Sequence, residues 1–545
     1  MTAGRAQRRL IWGNQGSLQM SEPKLDEAEI ARAGWIVRTL NWIERVGNKL
    51  PDPVTLFIIA IGLVMVLSAY YAGQGATAIN PATGEPVKAI SLLDTAQIRR
   101  LFTELPQILT SFPPLGVVLV IIVGVGLAER SGMFNAAIGA MVRAVPKTFL
   151  TLAVTFAGVQ SSIASDAGYV VLIPLAAAAF ASVGRHPIAG LSAAFAGVAG
   201  GFAANVSITT GDALLSGLTQ AAAGLVDKTY TVEITANWYF LAAIVPVYAI
   251  VAALVCERIV EPRLNAGPDW VRQAPEIEDG NKAARERWGL RFAMLGFLLV
   301  LALIAWLSWT PESPLRDPKT GSFEPLFRSM VAIMFLVFAV SGLAYGIGAG
   351  VIKNDKDAVQ LTTKGVADIS AYLVLAFFAA VFVALFNWSN LGTLMAINGA
   401  EFLKGLGLAG QPLLLLVGVI ILAMITDLLI GSASAKWAIL APIMVPMLML
   451  LGVAPEATQA AYRVGDSTTN MITPFMTYFP LILIMARKYR PDYGIGSMMA
   501  LMLPYTVAFF IASGTFFAVW FSLGIPFGPG VENQYVPKFA APTAP

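Results

Sequence analysis

One cysteine, Cys256, and one histidine, His186, serve a chain of 545 residues. A single thiol cannot close an intramolecular disulfide or build a thiolate metal cage. A single imidazole leaves zinc sites and histidine-based triads without their parts, so no metal and no cofactor is expected. Charge is scarce as well. Asp, Glu, Lys and Arg make up 13% of the chain while 57% is hydrophobic, against about 25% charged residues in soluble domains. The net charge of +3 carries no sign of a nucleic-acid partner. A cleavable signal is not expected from the first apolar run, 51–71, which is too long and too late for one, is followed by no small-residue cleavage site and reads as a membrane span.

What is present is a succession of apolar runs long enough to cross a bilayer, which takes roughly 20 residues. They fall near 52–73, 114–130, 187–222, 236–262, 288–310, 326–350, 361–386, 456–486 and 494–523. Two further stretches, 147–183 and 411–451, are apolar but interrupted by Ser161–Gly168 and by Gly431–Lys436. Each flanking arm is short for a crossing, so both read as re-entrant helical hairpins, whose irregular tips need protein or water around them. The expected fold is an all-α membrane protein of about nine spans and two hairpins. Basic residues cluster in the N-terminal tail 1–50, in Arg258–Arg291, in Lys353–Lys364 and in Arg487–Arg490. Nine crossings put all four on one side, which places the N-terminus in the cytoplasm and the C-terminal tail 524–545 in the periplasm.

A shift of 268 residues lays the two hairpin regions over each other. Leu172 meets Leu440, Pro174 meets Pro442, Gly184 meets Gly452, Pro187 meets Pro455 and Gly197 meets Gly465. The Pro and Gly matches weigh most, because those residues report backbone geometry. This divides the chain into a first repeat, 51–262, a cytoplasmic loop and linking span, 263–325, and a second repeat, 326–523. Five crossings separate equivalent points, so the repeats are expected to be inverted, as in secondary transporters with broken helices near the midplane.

Charges inside spans are costly and mark function. The densest group runs from Arg463 through Gly465, Asp466, Ser467, Thr468, Thr469 and Asn470 to Pro474. Arg463 and Asp466 stand three apart, on one helix face. Gly465 and Pro474 bracket hydroxyl and amide groups suited to an unwound, cation-binding stretch, and Pro455 marks another break. The first-half counterpart, Gly200–Asp212, holds Asn205 and ends on Asp212, which is equally well read as a helix cap and as a buried acid that takes a cation. At the hairpin tips Ser161, Ser162, Ser165, Ser432 and Ser434 are expected to precede helices whose positive N-termini meet an anion. Asp166 sits in one tip and Lys436 in the other, and Trp437 offers a stacking face and an N–H donor. Asp427 is placed to pair with Lys436 or with Arg463. His186 belongs to a cytoplasmic-side turn, and Cys256 to an inert buried position.

These motifs resemble the AbgT family, the bacterial p-aminobenzoyl-glutamate transporters, along nearly the whole chain after residue 50. The resemblance rests on Ser165–Tyr169, Gly184–Pro187, Ser432–Trp437 and Gly465–Asn470 with Pro474. It implies a homodimer in the bacterial inner membrane. It also implies that Trp437, Pro455, Arg463 and Asp466 matter for transport, with Asp212 or Asp166 as the first-half acid. The implied substrate is p-aminobenzoyl-glutamate or a related aryl-amide or sulfonamide anion, moved by uptake or efflux on a proton or sodium gradient. An aryl ring would stack on Trp437, carboxylates would meet Arg463, Asn470 and the hairpin N-termini, and Asp466, Asp212 or Asp166 would answer the cation. The alternatives are a sodium-coupled dicarboxylate carrier, a passive channel, and an intramembrane aspartyl protease pairing Asp212 with Asp466. An enzyme is not expected.

Overall fold

The computed structural model describes residues 53–79, 86–164, 168–266, 270–271, 280–367, 370–473, 476 and 478–536. The N-terminal tail, Ser165, Asp166, Pro474 and the last nine residues lie outside them. The described chain is mostly helical, and several helices carry an internal proline: Pro106, Pro246, Pro442, Pro446 and Pro504. In chain order the helices are α1 Pro53–Gly73, α2 Thr95–Thr110, α3 Pro113–Arg130, α4 Met133–Ala144, α5 Leu150–Gln160, α6 Ile173–Ser182, α7 Pro187–Phe195, α8 Thr210–Ala223, α9 Trp238–Val255 and α10 Glu261–Asn265. There follow α11 Gly280–Leu307, α12 Glu324–Arg328, α13 Met330–Gly348, α14 Asp355–Ala367, α15 Ser370–Trp388, α16 Leu391–Gly405, α17 Pro412–Asp427, α18 Ala433–Met449, α19 Pro455–Thr469, α20 Phe479–Arg487 and α21 Ile495–Ser522. A two-stranded antiparallel hairpin, Thr77–Ile79 with Pro86–Lys88, follows α1.

Six helical stretches are long and apolar enough to cross a membrane: Val54–Gly73, Thr95–Arg130, Trp238–Asn265, Asn281–Leu307, Met330–Gly348 and Ile495–Ser522. Two bent pairs, 133–142 with 147–163 at 113° and 373–388 with 391–405 at 70°, bring the number to as many as eight. The sequence-expected spans 187–222 and 456–486 are each split. The first becomes α7 with a π-helical extension to Gly200 and then, after the irregular segment 201–209, α8. The second becomes α19, which ends at Thr469, and α20, which begins at Phe479. Both breaks fall where hydroxyl, amide and glycine residues are dense, because such side chains compete with the helical backbone for hydrogen bonds.

The outside and the inside of the molecule have opposite chemistry. α1 and α11 present Ile58, Ile59, Leu63, Val66, Met294, Leu295, Leu298 and Leu299, all of them exposed. Exposed apolar side chains in such number along a helix mark contact with something other than water. At the centre lies α19, Pro-Glu-Ala-Thr-Gln-Ala-Ala-Tyr-Arg-Val-Gly-Asp-Ser-Thr-Thr, in which every residue is buried. A helix this polar is buried only where its side chains find partners. Its packing depends on glycine: a Cβ on Gly465 would lie 2.3 Å from the Ile420 carbonyl oxygen of α17. The same device seats α5 against the extension of α7, where a Cβ on Gly158 would lie 2.8 Å from the Gly197 Cα.

Candidate functional site

The partners of α19 come from both halves of the chain. Arg463 Nη1 lies 2.6 Å from Asp212 Oδ1, with the two side chains 4% and 5% exposed. Asp212 is held for this role by a capping box. Thr209, the N-cap of α8, receives the Asp212 backbone N–H on its hydroxyl, while its own N–H and hydroxyl donate to Asp212 Oδ2 at 2.6 and 2.7 Å. Asp212 is thus not the N-cap but the third residue of α8: one carboxylate oxygen completes the capping box of Thr209, and the other meets Arg463. Capping fixes the carboxylate beside the positive end of α8, and the second oxygen faces the guanidinium.

Three residues along, Asp466 does not bond Arg463, although helical spacing puts the two on one face. Its Oδ1 lies 2.5 Å from Lys436 Nζ of α18. Lys436 also contacts Asp427, the last residue of α17, and the lysine and Asp427 side chains are fully buried. Of the two partners open to Asp427 in the sequence, the structure selects Lys436. Tyr462 donates its hydroxyl to the Ala433 carbonyl at 2.5 Å and also lies 3.3 Å from Asp466 Oδ1. Asn470 Nδ2 donates to Asp466 Oδ2 at 3.3 Å.

Several expectations are corrected by these contacts. Trp437 is fully buried, one ring face stacks on Tyr462 at 4.5 Å, and Nε1 donates to Thr219 Oγ1 at 2.9 Å. That face is therefore taken by the protein itself. Gly465 does not break its helix, since α19 runs on to Thr469; the residue is small to admit Ile420. Ser467 and Thr468 are consequently on intact helix, and Thr468 returns its hydroxyl to the Gly465 carbonyl at 2.8 Å. Ser161 and Ser162 do not open a helix either. They prolong the C-terminal end of α5 and donate to the carbonyls of Gly158 and Val159, so they face the negative end of a dipole. Ser432 fits the expectation for its hairpin tip: it is the N-cap of α18 and accepts from Ala435 N, with Ser434 in the first turn. Pro455 is the first residue of α19.

Asn205, in the irregular segment before α8, is 1% exposed, and neither its Oδ1 nor its Nδ2 has a hydrogen-bond partner among the described residues. Buried amides are almost always satisfied, so Asn205 is a candidate contact for a bound group.

Sequence reasoning passes over a second polar layer on α19. Thr219 of α8 donates to Gln459 Oε1 at 2.6 Å, Tyr230 donates to Glu456 Oε2 at 2.8 Å, and Asn237 donates to the Glu456 carbonyl at 2.8 Å. The signal that could have found Glu456 is its position as an acid directly after Pro455 at the head of the expected span 456–486. At the hairpin 1 end, Tyr169 stacks on Tyr478 of the break at 4.7 Å and 7°. His186 caps α7 by accepting from Ile188 N, and burial together with nearby Arg490 pulls its pKa down to about 4, so it is neutral. Cys256 is buried, and Glu401 and Lys404 are exposed.

The sequence profile of the AbgT putative transporter family matches residues 38–535. The p-aminobenzoyl-glutamate transport protein of Escherichia coli (strain K12) is 37% identical over 492 residues, which is 90% of this chain and 96% of that protein. Among solved structures, the Alcanivorax borkumensis YdaH transporter, described as having an unusual topology, superposes with a TM-score of 0.84 at 42% identity, covering 88% of this chain and all of that one. Neisseria gonorrhoeae MtrF, described as illuminating a class of antimetabolite efflux pumps, gives a TM-score of 0.82 at 42% identity over 91% of this chain and all of its own. The chain belongs to the AbgT putative transporter family and is a multi-pass membrane transport protein, not an enzyme. The protease alternative fails on geometry too, because Asp212 and Asp466 are committed to different cations, Arg463 and Lys436.

Proposed function

With family membership as the premise, we propose that this chain is a secondary active transporter of p-aminobenzoyl-glutamate or related aryl-amide and sulfonamide anions, energised by a proton or sodium gradient. The observation that carries the reading is α19, a wholly buried polar helix whose Arg463 and Asp466 meet opposite charges from the first and the second half of the chain. Such a helix is costly to build and has no packing purpose that apolar residues would not serve better. In the proposed cycle a substrate carboxylate competes with Asp212 for Arg463. The break after Asn470 and the first turn of α18, with Ser432 and Ser434, supply further donors. A cation at Asp212 and the unsatisfied amide of Asn205 weakens the Asp212–Arg463 pair and frees the guanidinium. That pair joins residues 51–262 to residues 326–523, so its making and breaking is a natural switch between access states. The architecture proposed around it is about nine spans, two hairpins (147–183 and 411–451) and two inverted repeats. The chain is proposed to sit as a homodimer in the bacterial inner membrane, with a cytoplasmic N-terminus. Asp166 and Ser165 remain proposed members of the first hairpin tip. Uptake and efflux are both compatible with this chemistry.

The test is a binding screen on purified protein with p-aminobenzoyl-glutamate, p-aminobenzoate, sulfonamides and plain dicarboxylates, read by calorimetry. The aryl compounds are expected to bind, and Arg463→Gln is expected to weaken those that carry a carboxylate. Binding of plain dicarboxylates alone would establish the dicarboxylate-carrier alternative in its place.

A further inference from the structure

The buried charges beside α19 do not cancel. Lys436 is one ammonium in contact with two carboxylates, Asp466 Oδ1 at 2.5 Å and Asp427 Oδ1, and the side chains of Lys436, Asp466 and Asp427 are 0%, 3% and 0% exposed. The other cation of the region, Arg463, is bound to Asp212. Remaining polar neighbours are uncharged. Asn470 and Tyr462 reach Asp466, and the uncharged Thr469 hydroxyl lies beside Asp427, also 3.4 and 3.5 Å from the carbonyls of Met424 and Gly465. Asp427 Oδ2 has no hydrogen-bond partner among the described residues. Counted with both carboxylates ionised, the group therefore carries one negative charge in excess, out of water. An uncompensated buried charge is strongly disfavoured. Asp427 also ends α17, where the helix dipole favours a positive neighbour.

We propose that the Asp427–Lys436–Asp466 group binds one monovalent cation, a proton or sodium, and that Asp427 receives it at Oδ2. This deepens the transporter reading and rests on it for its role in coupling. Asp427 closes α17 and Lys436 opens α18, so their ion pair clasps the two helices across the break 428–432. A cation on Asp427 cancels the attraction across that break, while Lys436 keeps Asp466 and the hold on α19. Loading the site thus loosens one clasp and leaves the other. No bond to substrate is required, so Asp427 and Lys436 are positioning residues.

The test has a substrate-free arm and a transport arm. Purified full-length protein is unfolded thermally in detergent across sodium concentration at fixed pH, with choline as replacement, and across pH at fixed sodium. Wild type should respond to one of the two ions, as binding to the native state requires, and the response of Asp427→Asn should be smaller, the contributions of Asp212 and His186 being common to both proteins. The same shift in both proteins, or no response of wild type to either ion, overturns the proposal. In proteoliposomes with labelled p-aminobenzoyl-glutamate, Asp427→Asn should keep counterflow while its gradient-driven accumulation ratio falls to about one, the value at equilibrium; accumulation like that of wild type overturns the coupling role. Should wild type move none of this probe, the substrate reading fails and the thermal arm still decides the cation site. If Asp427→Asn does not fold, Lys436→Arg replaces it. That variant keeps the charge balance and should shift the ion concentration at half-effect by about tenfold or more, and an unmoved half-effect overturns the proposal.

Discussion

Which carboxylate neutralises Arg463 can be settled by a double-mutant cycle. At 2.6 Å, with the two side chains 4% and 5% exposed, removing one partner of the Arg463–Asp212 pair strands the other charge in the interior, at a cost of about 3–5 kcal/mol. Asp212→Asn is a clean perturbation, because asparagine keeps an oxygen to accept from Thr209 and so preserves the cap of α8. Arg463→Gln strands Asp212 instead. In the double variant neither charge remains, and most of the loss should return, leaving a coupling of about 2–4 kcal/mol. The control is Arg463→Gln with Asp466→Asn. Asp466 is paired with Lys436 and not with Arg463, so this combination should show a smaller coupling than the Arg463/Asp212 cycle. The assay is unfolding by SDS titration in mixed micelles, followed by tryptophan fluorescence. A larger coupling for the Arg463/Asp466 cycle than for the Arg463/Asp212 cycle would refute the Arg463–Asp212 pairing.

Further expectations follow from individual contacts. Trp437→Phe keeps the stack on Tyr462 and loses the bond to Thr219, at about 1 kcal/mol, whereas Trp437→Ala opens a cavity worth about 3–5 kcal/mol; equal losses in the SDS assay would contradict this packing. Gly465→Ala drives a methyl group toward the Ile420 carbonyl and should cost about 1–3 kcal/mol, and an unchanged unfolding midpoint would show that α17 does not approach there. His186 has its pKa lowered to about 4, so the unfolded chain takes up a proton near pH 6.5 while the folded one does not. Stability should therefore fall as pH drops from about 6.5 to about 4, by up to about 3 kcal/mol. His186→Gln should flatten that segment of the profile, and parallel profiles would sink the assignment.

Burying charge is expensive wherever it occurs, and this makes much of the site legible in the sequence. Arg463, Asp466, Asp212 and Lys436 stand out in apolar surroundings without any knowledge of the fold. Their partners are not legible. Helical spacing says that Arg463 and Asp466 share a face, but not which neighbouring helix meets each of them, and α8 and α18 reach α19 from other parts of the chain. Trp437 illustrates the same limit. Its aromatic face is evident, yet the face is occupied by Tyr462, which lies on another helix and belongs to no local pattern. Gly465 could signal a break or a close approach, and only the position of Ile420 separates the two. Ser161 and Ser162 mislead because a hydroxyl serves equally to cap the helix that follows and to return a bond to the helix that precedes.

The most direct measurement of secondary transport is solute accumulation in proteoliposomes holding this protein alone, with a proton or a sodium gradient imposed. Wild type should concentrate labelled p-aminobenzoyl-glutamate beyond equilibrium on one of these gradients, and Asp466→Asn should exchange the label without concentrating it. If wild type only equilibrates the label, at a rate indifferent to either gradient, the protein is a passive channel and the claim of gradient-driven transport is contradicted.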